Sequence, residues 1–203
     1  MSHVSAAVAS IYRKARRVVD PVRRGPVPLA DLFDAAGVSH VALPALSLSA
    51  VAEHLLAERY VTEPRLVADL LDDRQPLAGL IFRLGGDGLA FVSADDILAR
   101  RRFTAAHELG HFLLHRDRMT GFIADVTISE TDEGAGDLEP EANRFAAELL
   151  MPEEVIRARA TELQREHQAC PRLVLAYRLA SELLVSREAM RYRLKTLGVG
   201  DDD

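Results

Sequence analysis

The chain has 203 residues, of which 48% are hydrophobic, and this suits one domain with a sizeable core. Its net charge of −6 argues against a protein that acts wholly as a nucleic-acid binder. It has no apolar run of about 18 residues, no signal-peptide pattern at its start, and a single cysteine, Cys170, that cannot form an internal disulfide. We therefore expect a cytoplasmic protein that makes no use of the membrane.

The first 76 residues predict short helices and one strand. An amphipathic helix over 2–20 ends in basic residues, and a break over 21–28 follows it. The elements predicted after the break are a helix over 29–36 closed by Gly37, a strand over 38–43, and helices over 49–59 and 64–72 with Ser49 and Thr62 as caps.

A hairpin is predicted next. Residues 77–84 have the composition of a strand, and a glycine-rich turn over 85–88 precedes a returning strand over 89–92. We expect this hairpin to offer a sheet edge beside a cleft, where a substrate strand could add by backbone pairing. The alternative is an ordinary hairpin that packs under a helix.

The segment after the hairpin contains the pattern His-Glu-x-x-His in helix-compatible, mostly apolar sequence. Because residues four apart lie on one face of a helix, His107 and His111 can direct two ring nitrogens at one point, as zinc ligands do. Glu108 projects beside that point, where a base could take a proton from water. Gly110 would let another backbone or a substrate strand approach the helix. A chance match on a structural helix is the alternative.

The residues after this helix leave two questions open. In the metzincin pattern a glycine and a third ligand would follow, but those positions hold Leu114 and Asp117, so we reject that class. His115 could face the site, or it could bond to the last carbonyls of the helix. Residues 117–138 predict a long loop with a short strand over 122–128, a candidate lid or substrate groove.

The third metal ligand should come from the next helix, whose apolar residues recur at helical spacing from Ala142 to Leu150. Glu139 and Asn143 are four apart, so a ligand carboxylate and a hydrogen-bonding partner for a zinc-bound histidine would share one face. Glu141 has no such partner and is the rival choice. Glu148 lies too far along the helix and has the character of a surface residue.

Two motifs, over 102–115 and 139–152, together with the tail Val-Ser-x-x-Ala-x-x-x-Arg-Leu-x-x-Leu-Gly over 185–198, resemble the ImmA/IrrE family of metallopeptidases. The resemblance implies an α+β, mostly helical fold: a minimal thermolysin-like zincin with a small antiparallel sheet and a C-terminal helical, helix-turn-helix-like subdomain. It implies His107, His111 and Glu139 as zinc ligands and Glu108 as the catalytic acid–base residue. It also implies a helix-turn-helix repressor as substrate, cut to release stress-response or mobile-element genes.

Manganese is also compatible with two imidazoles and one carboxylate. The chain ends soon after the tail, so we expect it to lack the sensor-like domain of longer radiation-response members of the family.

The C-terminal part predicts helices over 153–167, 171–184 and 187–197, the last capped by Ser186. We expect 1–152 to form the metallopeptidase domain and 153–203 a helical subdomain. Between 157 and 195, nine basic residues stand against four acidic ones, so a weak DNA contact through these helices is one interpretation. The interpretation we prefer is a subdomain that packs and shapes the substrate site.

Two functions compete at this point. The first is a zinc endopeptidase, favoured because three protein ligands leave a coordination position open for catalysis. The second is a DNA-binding transcriptional regulator with a structural or vestigial metal site.

Overall fold

The structure is a computed structural model that describes residues 2–17, 25–116, 122–126, 138–166 and 171–200. Within these ranges the chain forms eight α-helices and four strands, in the order α1 His3–Lys14, α2 Leu29–Ala36, β1 Val38–Leu43, α3 Leu48–Ala57, β2 Leu77–Leu84, β3 Asp87–Ser93, α4 Leu98–Leu114, β4 Phe122–Val126, α5 Leu138–Leu150, α6 Glu153–Glu166, α7 Arg172–Leu183 and α8 Arg187–Leu197. The predicted α+β, mostly helical class is confirmed.

The four strands form one mixed sheet in the order β1-β3-β2-β4. The strands β2 and β3 pair antiparallel, and β4 pairs antiparallel with β2. We predicted a small antiparallel sheet. The prediction is wrong for one pair of strands, because β1 runs parallel to β3. A parallel pair needs a long crossover, and α3 and β2 lie between β1 and β3 along the chain and provide it.

The hairpin of β2 and β3 lies inside the sheet and not at its edge, because β1 and β4 flank it. Alternation along its strands turns one set of side chains to each face. On one face, Ile81 and Ala90 join the large core that includes α4 and α5. On the other, Leu80 and Phe91 pack in a second cluster with Leu55 of α3. The hairpin therefore packs beneath α4.

Several predicted boundaries need correction. The helix predicted over 2–20 ends at Lys14, because Arg16 takes a left-handed conformation with φ 53° that stops helical bonding. The helix α3 is capped by Ser47, whose side chain accepts from the Ala50 amide, and not by Ser49. The predicted 64–72 helix is two 3-10 turns, Pro64–Leu66 and Ala68–Leu70, and Thr62 does not cap them.

Helix α4 crosses α5 at Gly110. A β-carbon at this position would lie 3.0 Å from Phe145 Cδ1 and 3.3 Å from the Ala142 Cα, so the glycine permits the close approach of the two helices. Phe145 and Leu149 are fully buried and anchor α5 against α4. The backbone that approaches Gly110 is therefore that of helix α5. This close contact places the start of α5 over the histidines of α4.

The C-terminal helices attach to the same core. Buried residues of α6, α7 and α8 belong to one hydrophobic cluster with those of α4 and α5. Arg193 on α8 donates to the Met151 carbonyl at 3.0 Å, and Arg157 on α6 donates to the Leu197 carbonyl at 2.9 Å. The buried Arg159 pairs with Glu182 of α7 at 2.9 Å. In the ranges the structure describes, none of the helices has the length and apolar character needed to cross a membrane.

Candidate metal centre

Helix α4 places the first two predicted ligands. His107 and His111 are both buried, with 3% and 0% of their surface exposed. Their spacing of one helical turn brings the two Nε2 atoms to 2.9 Å from each other. Two nitrogens at this distance, each with a lone pair available in the neutral ring, can bind one cation between them.

Helix α5 adds the third donor. The carboxylate of Glu139 places Oε2 3.1 Å from His107 Nε2 and Oε1 3.1 Å from His111 Nε2. Where the Nε2 atoms carry hydrogen, hydrogen bonds from His107, and then from His111, hold the pKa of Glu139 far below its usual range. A bound cation would take the place of these hydrogens, so Glu139 is a carboxylate in both states. One ligand atom from each of the three residues lies within 4.8 Å of the other two. Two imidazoles and one carboxylate are a donor set that zinc accepts, so the residues present fit a metal ion.

Asn143 contacts His107, as its spacing of one helical turn from Glu139 predicts. Its Oδ1 is 3.1 Å from His107 Nδ1, on the side of the ring away from Glu139. The second ring nitrogen of a ligand histidine usually donates to a carbonyl or carboxylate, and this contact sets the orientation of the ring. Asn143 is therefore placed to hold His107 in line with the other two donors.

Glu108 lies beside the three converging groups and not among them. It is fully buried between α4 and β2. A β-carbon built at Gly79 of β2 would overlap Glu108 Oε1 and lie 2.5 Å from Thr104 Cγ2. The carboxylate thus occupies space that any other residue at position 79 would fill. Sequence reasoning did not select Gly79, although a lone glycine inside a strand is a sign of close approach by another group.

His115 faces the site, which decides between the two interpretations of this residue. Its Nδ1 is 3.0 Å from His111 Nδ1, and its Nε2 is 3.0 Å from Glu141 Oε2. The rival ligand Glu141 therefore contacts His115, and its other oxygen lies 3.0 Å from His3 Nε2 of α1. The pKa of Glu141 is lowered, chiefly by the hydrogen bond from His115.

The remaining candidates lie elsewhere. Glu148 pairs with Arg144 on its own helix at 2.9 Å. Asp117 and most of the predicted 117–138 loop lie outside the described residues, as does Cys170. The predicted 122–128 strand is present as β4, Phe122–Val126.

Two matches with known proteins bear on the site. Residues 87–195, more than half of the chain, match the peptidase family M78 model, described as an IrrE N-terminal-like domain. Over 58 residues the chain is 43% identical to "Uncharacterized immunity region protein 2" of Bacillus phage phi105. That alignment covers 29% of this chain and 34% of the phage protein, so the chain spans about a third of its relative's length.

The matched family region contains all of α4 and α5, and with them His107, Glu108, His111, His115, Glu139 and Asn143. The resemblance to the ImmA/IrrE family is confirmed by the family match. The chain therefore belongs to the M78 peptidase family, whose shared unit is the IrrE N-terminal-like domain.

Proposed function

We propose that the chain is a zinc-dependent endopeptidase in which His107, His111 and Glu139 hold the metal and Asn143 orients His107. The observation that supports this most is the convergence of the three donor atoms, from two helices, within 4.8 Å. Manganese is compatible with the same donors. Zinc would polarise the carbonyl of the peptide bond. It would also lower the pKa of a water molecule, so that the water can lose a proton and attack the carbonyl carbon.

Glu108 is the proposed acid–base residue. It takes a proton from the attacking water and delivers it to the amine that leaves. Its place supports this role, because it follows the ligand His107 on α4 and its carboxylate is enclosed between α4 and β2. The enclosure limits the rotamers of the side chain, so the carboxylate needs little reorganisation before proton transfer.

The proposed substrate is a helix-turn-helix repressor in the cytoplasm, cut to release stress-response or mobile-element genes. The name of the phage relative, an immunity region protein, supports a link to repression. Among the described strands, β1 and β4 are the outermost in the sheet, and β4 has β2 as its neighbour on one side. We propose that an extended substrate segment pairs along the other side of β4, the role predicted from the sequence for the hairpin.

A DNA-binding regulator is the second candidate. The observation that favours it is the row of exposed basic residues on α7 and α8, namely Arg178, Arg187, Arg191 and Lys195. Salt-sensitive, sequence-selective binding of promoter DNA by the purified chain, without any proteolysis, would favour this function over the first.

The experiment that tests the peptidase is incubation of the zinc-loaded chain with a repressor encoded by a neighbouring gene. Glu108→Gln should keep its zinc, because Glu108 is not among the three donors, and should lose cleavage, because an amide cannot take the proton. Glu148→Gln is the matched control, since it changes a carboxylate that pairs with Arg144 away from the site. Full cleavage by Glu108→Gln would rule out this mechanism.

A further inference from the structure

Helix α4 carries a third histidine, His115, one turn beyond His111. It is buried, with 3% of its surface exposed, at the end of the helix, where polar side chains usually reach solvent. In the described ranges, the group that could hold a metal comprises His107, His111 and Glu139, so His115 is not one of the converging donors. A buried imidazole at this place needs another explanation.

The contacts of His115 determine which nitrogen carries the hydrogen in the rings of His111 and His115. A neutral imidazole has one N–H and one lone pair. If His111 offers the Nε2 lone pair to a metal, its Nδ1 carries the hydrogen and donates to His115 Nδ1, 3.0 Å away. The ring of His115 must then carry its hydrogen on Nε2, and this N–H donates to Glu141 Oε2 at 3.0 Å.

In this relay, the chain of contacts from His111 through His115 to Glu141, each ring has one tautomer that satisfies the two contacts described. Both ligand histidines are thereby held at their second nitrogen, His107 by Asn143 directly and His111 by Glu141 through His115. The relay also explains why α5 carries three polar residues close together. Glu139 meets the Nε2 atoms, while Asn143 and Glu141 support the two rings.

We propose that His115 is a positioning residue for the metal centre: it accepts from His111 and is held by Glu141, so it keeps the His111 ring aligned for metal binding. The relay reaches α1, because the second oxygen of Glu141 lies 3.0 Å from His3 Nε2. This inference rests on the metal site of the proposed function but not on peptidase activity.

The test compares two variants of similar size, His115→Asn and His115→Leu, by zinc affinity. The amide oxygen of asparagine is two bonds from Cβ, as Nδ1 of histidine is. His115→Asn therefore keeps a hydrogen-bond acceptor for His111, whereas His115→Leu has none. His115→Leu should bind zinc about 10–100-fold more weakly than the unaltered chain, and His115→Asn should lie close to it. The measurement is competition for zinc with a chromophoric chelator, in the absence of substrate.

Thermal unfolding of the metal-free variants separates positioning from structure. If His115 only fills space, both variants lose stability without zinc, and their zinc affinities stay equal. Equal affinities would overturn the inference. His54→Ala is the control for loss of a packed histidine away from the site. His54 lies on α3, and its ring centroid is 5.6 Å from that of Phe91.

A second measurement needs no variant. In zinc-loaded chain labelled with nitrogen-15, long-range proton–nitrogen correlation should show His115 protonated at Nε2 and bare at Nδ1. A hydrogen on Nδ1 of His115 would place two N–H groups face to face and would overturn the relay while leaving the metal site intact. Failure of the unaltered chain to bind zinc would overturn the metal site and the relay together.

Discussion

At the scale of single residues, Glu139 and Glu141 differ in surroundings although they are near neighbours on α5. Residues two apart on a helix do not face the same way. Glu139 therefore turns to the two Nε2 atoms, and Glu141 turns to His115 and His3. The same chemical group faces the proposed metal position from Glu139 and contacts two other histidines from Glu141.

This difference predicts how much metal each of three alanine variants retains. Glu139→Ala should lose most of its metal, because one of three protein donors is gone. Glu141→Ala should keep a metal content close to wild type, because all three metal-binding groups and the His111–His115 contact remain and only the outer support of His115 is lost. Asn143→Ala should weaken metal binding about 10–100-fold, as loss of a partner to a ligand histidine does. Metal analysis after dialysis measures all three, and loss from Glu141→Ala with retention by Glu139→Ala would reverse our ligand assignment.

How much of the site could be predicted depends on the distance along the chain. His107 and His111 could be paired because both lie on one helix, where spacing alone sets direction. Glu139 could be preferred through its local partner Asn143. The contact of His115 with Glu141 could not be predicted, because it joins two helices and depends on how closely α4 and α5 cross at Gly110. Local periodicity contains no information about that crossing.

At the scale of elements, β2 shapes the site from below α4. Position 79 lies under Glu108, and the absence of a side chain there leaves space for the carboxylate and for Thr104. The strand itself was predicted with its full bounds, Leu77–Leu84, from composition and the following turn. Its place inside the sheet was not, because strand order depends on β4 and β1, which pair with the hairpin from distant parts of the chain.

We predict that Gly79→Ala impairs catalysis more than metal binding. The added methyl group overlaps Glu108 Oε1, so the carboxylate must move, while the three atoms nearest to it belong to Glu108 and Thr104, neither of which is among the three metal-binding residues. The fold should lose about 1–3 kcal/mol of stability, as overpacked sites do. Cleavage rate, zinc content and denaturant unfolding measure the three effects.

Gly86→Ala is the matched control for this variant. Among the described residues, a β-carbon there meets Arg116 Nη2 alone, at 3.9 Å, so cleavage should be unchanged. Unaltered cleavage by Gly79→Ala would mean that the position of the Glu108 carboxylate does not limit the reaction.

At the scale of the whole molecule, seven of the eight described helices, all except α3, share one large hydrophobic cluster that passes under the site. Tyr12 of α1 donates to the Leu149 carbonyl of α5 at 2.9 Å, and Arg193 ties α8 to the end of the same helix. The division into 1–152 and 153–203 stays a prediction. The shared cluster means that changes at the metal are coupled to the stability of the whole chain.

Removal of the metal should therefore lower the unfolding temperature of the entire chain. A ligand present at about 1,000 times its Kd stabilises the folded state by about 4 kcal/mol, which shifts the transition of a chain this size by roughly 10 °C. Scanning calorimetry with zinc and with a chelator measures the shift. Glu139→Ala should show little response and Glu141→Ala the full response; equal transitions of the wild-type chain with zinc and with chelator would contradict the prediction.

The placement of the three donors on two helices also has a consequence during synthesis. The ribosome releases α4, with both histidines, before α5, with Glu139, because α5 comes later along the chain. A nascent chain that has not yet emerged beyond α4 has two donors and no third, and its Glu108 lies beside an unfinished site. In the proposed peptidase, the capacity to cut other proteins would thus be acquired late in translation, when α5 docks on α4, and a truncated translation product that lacks α5 would have no complete metal site.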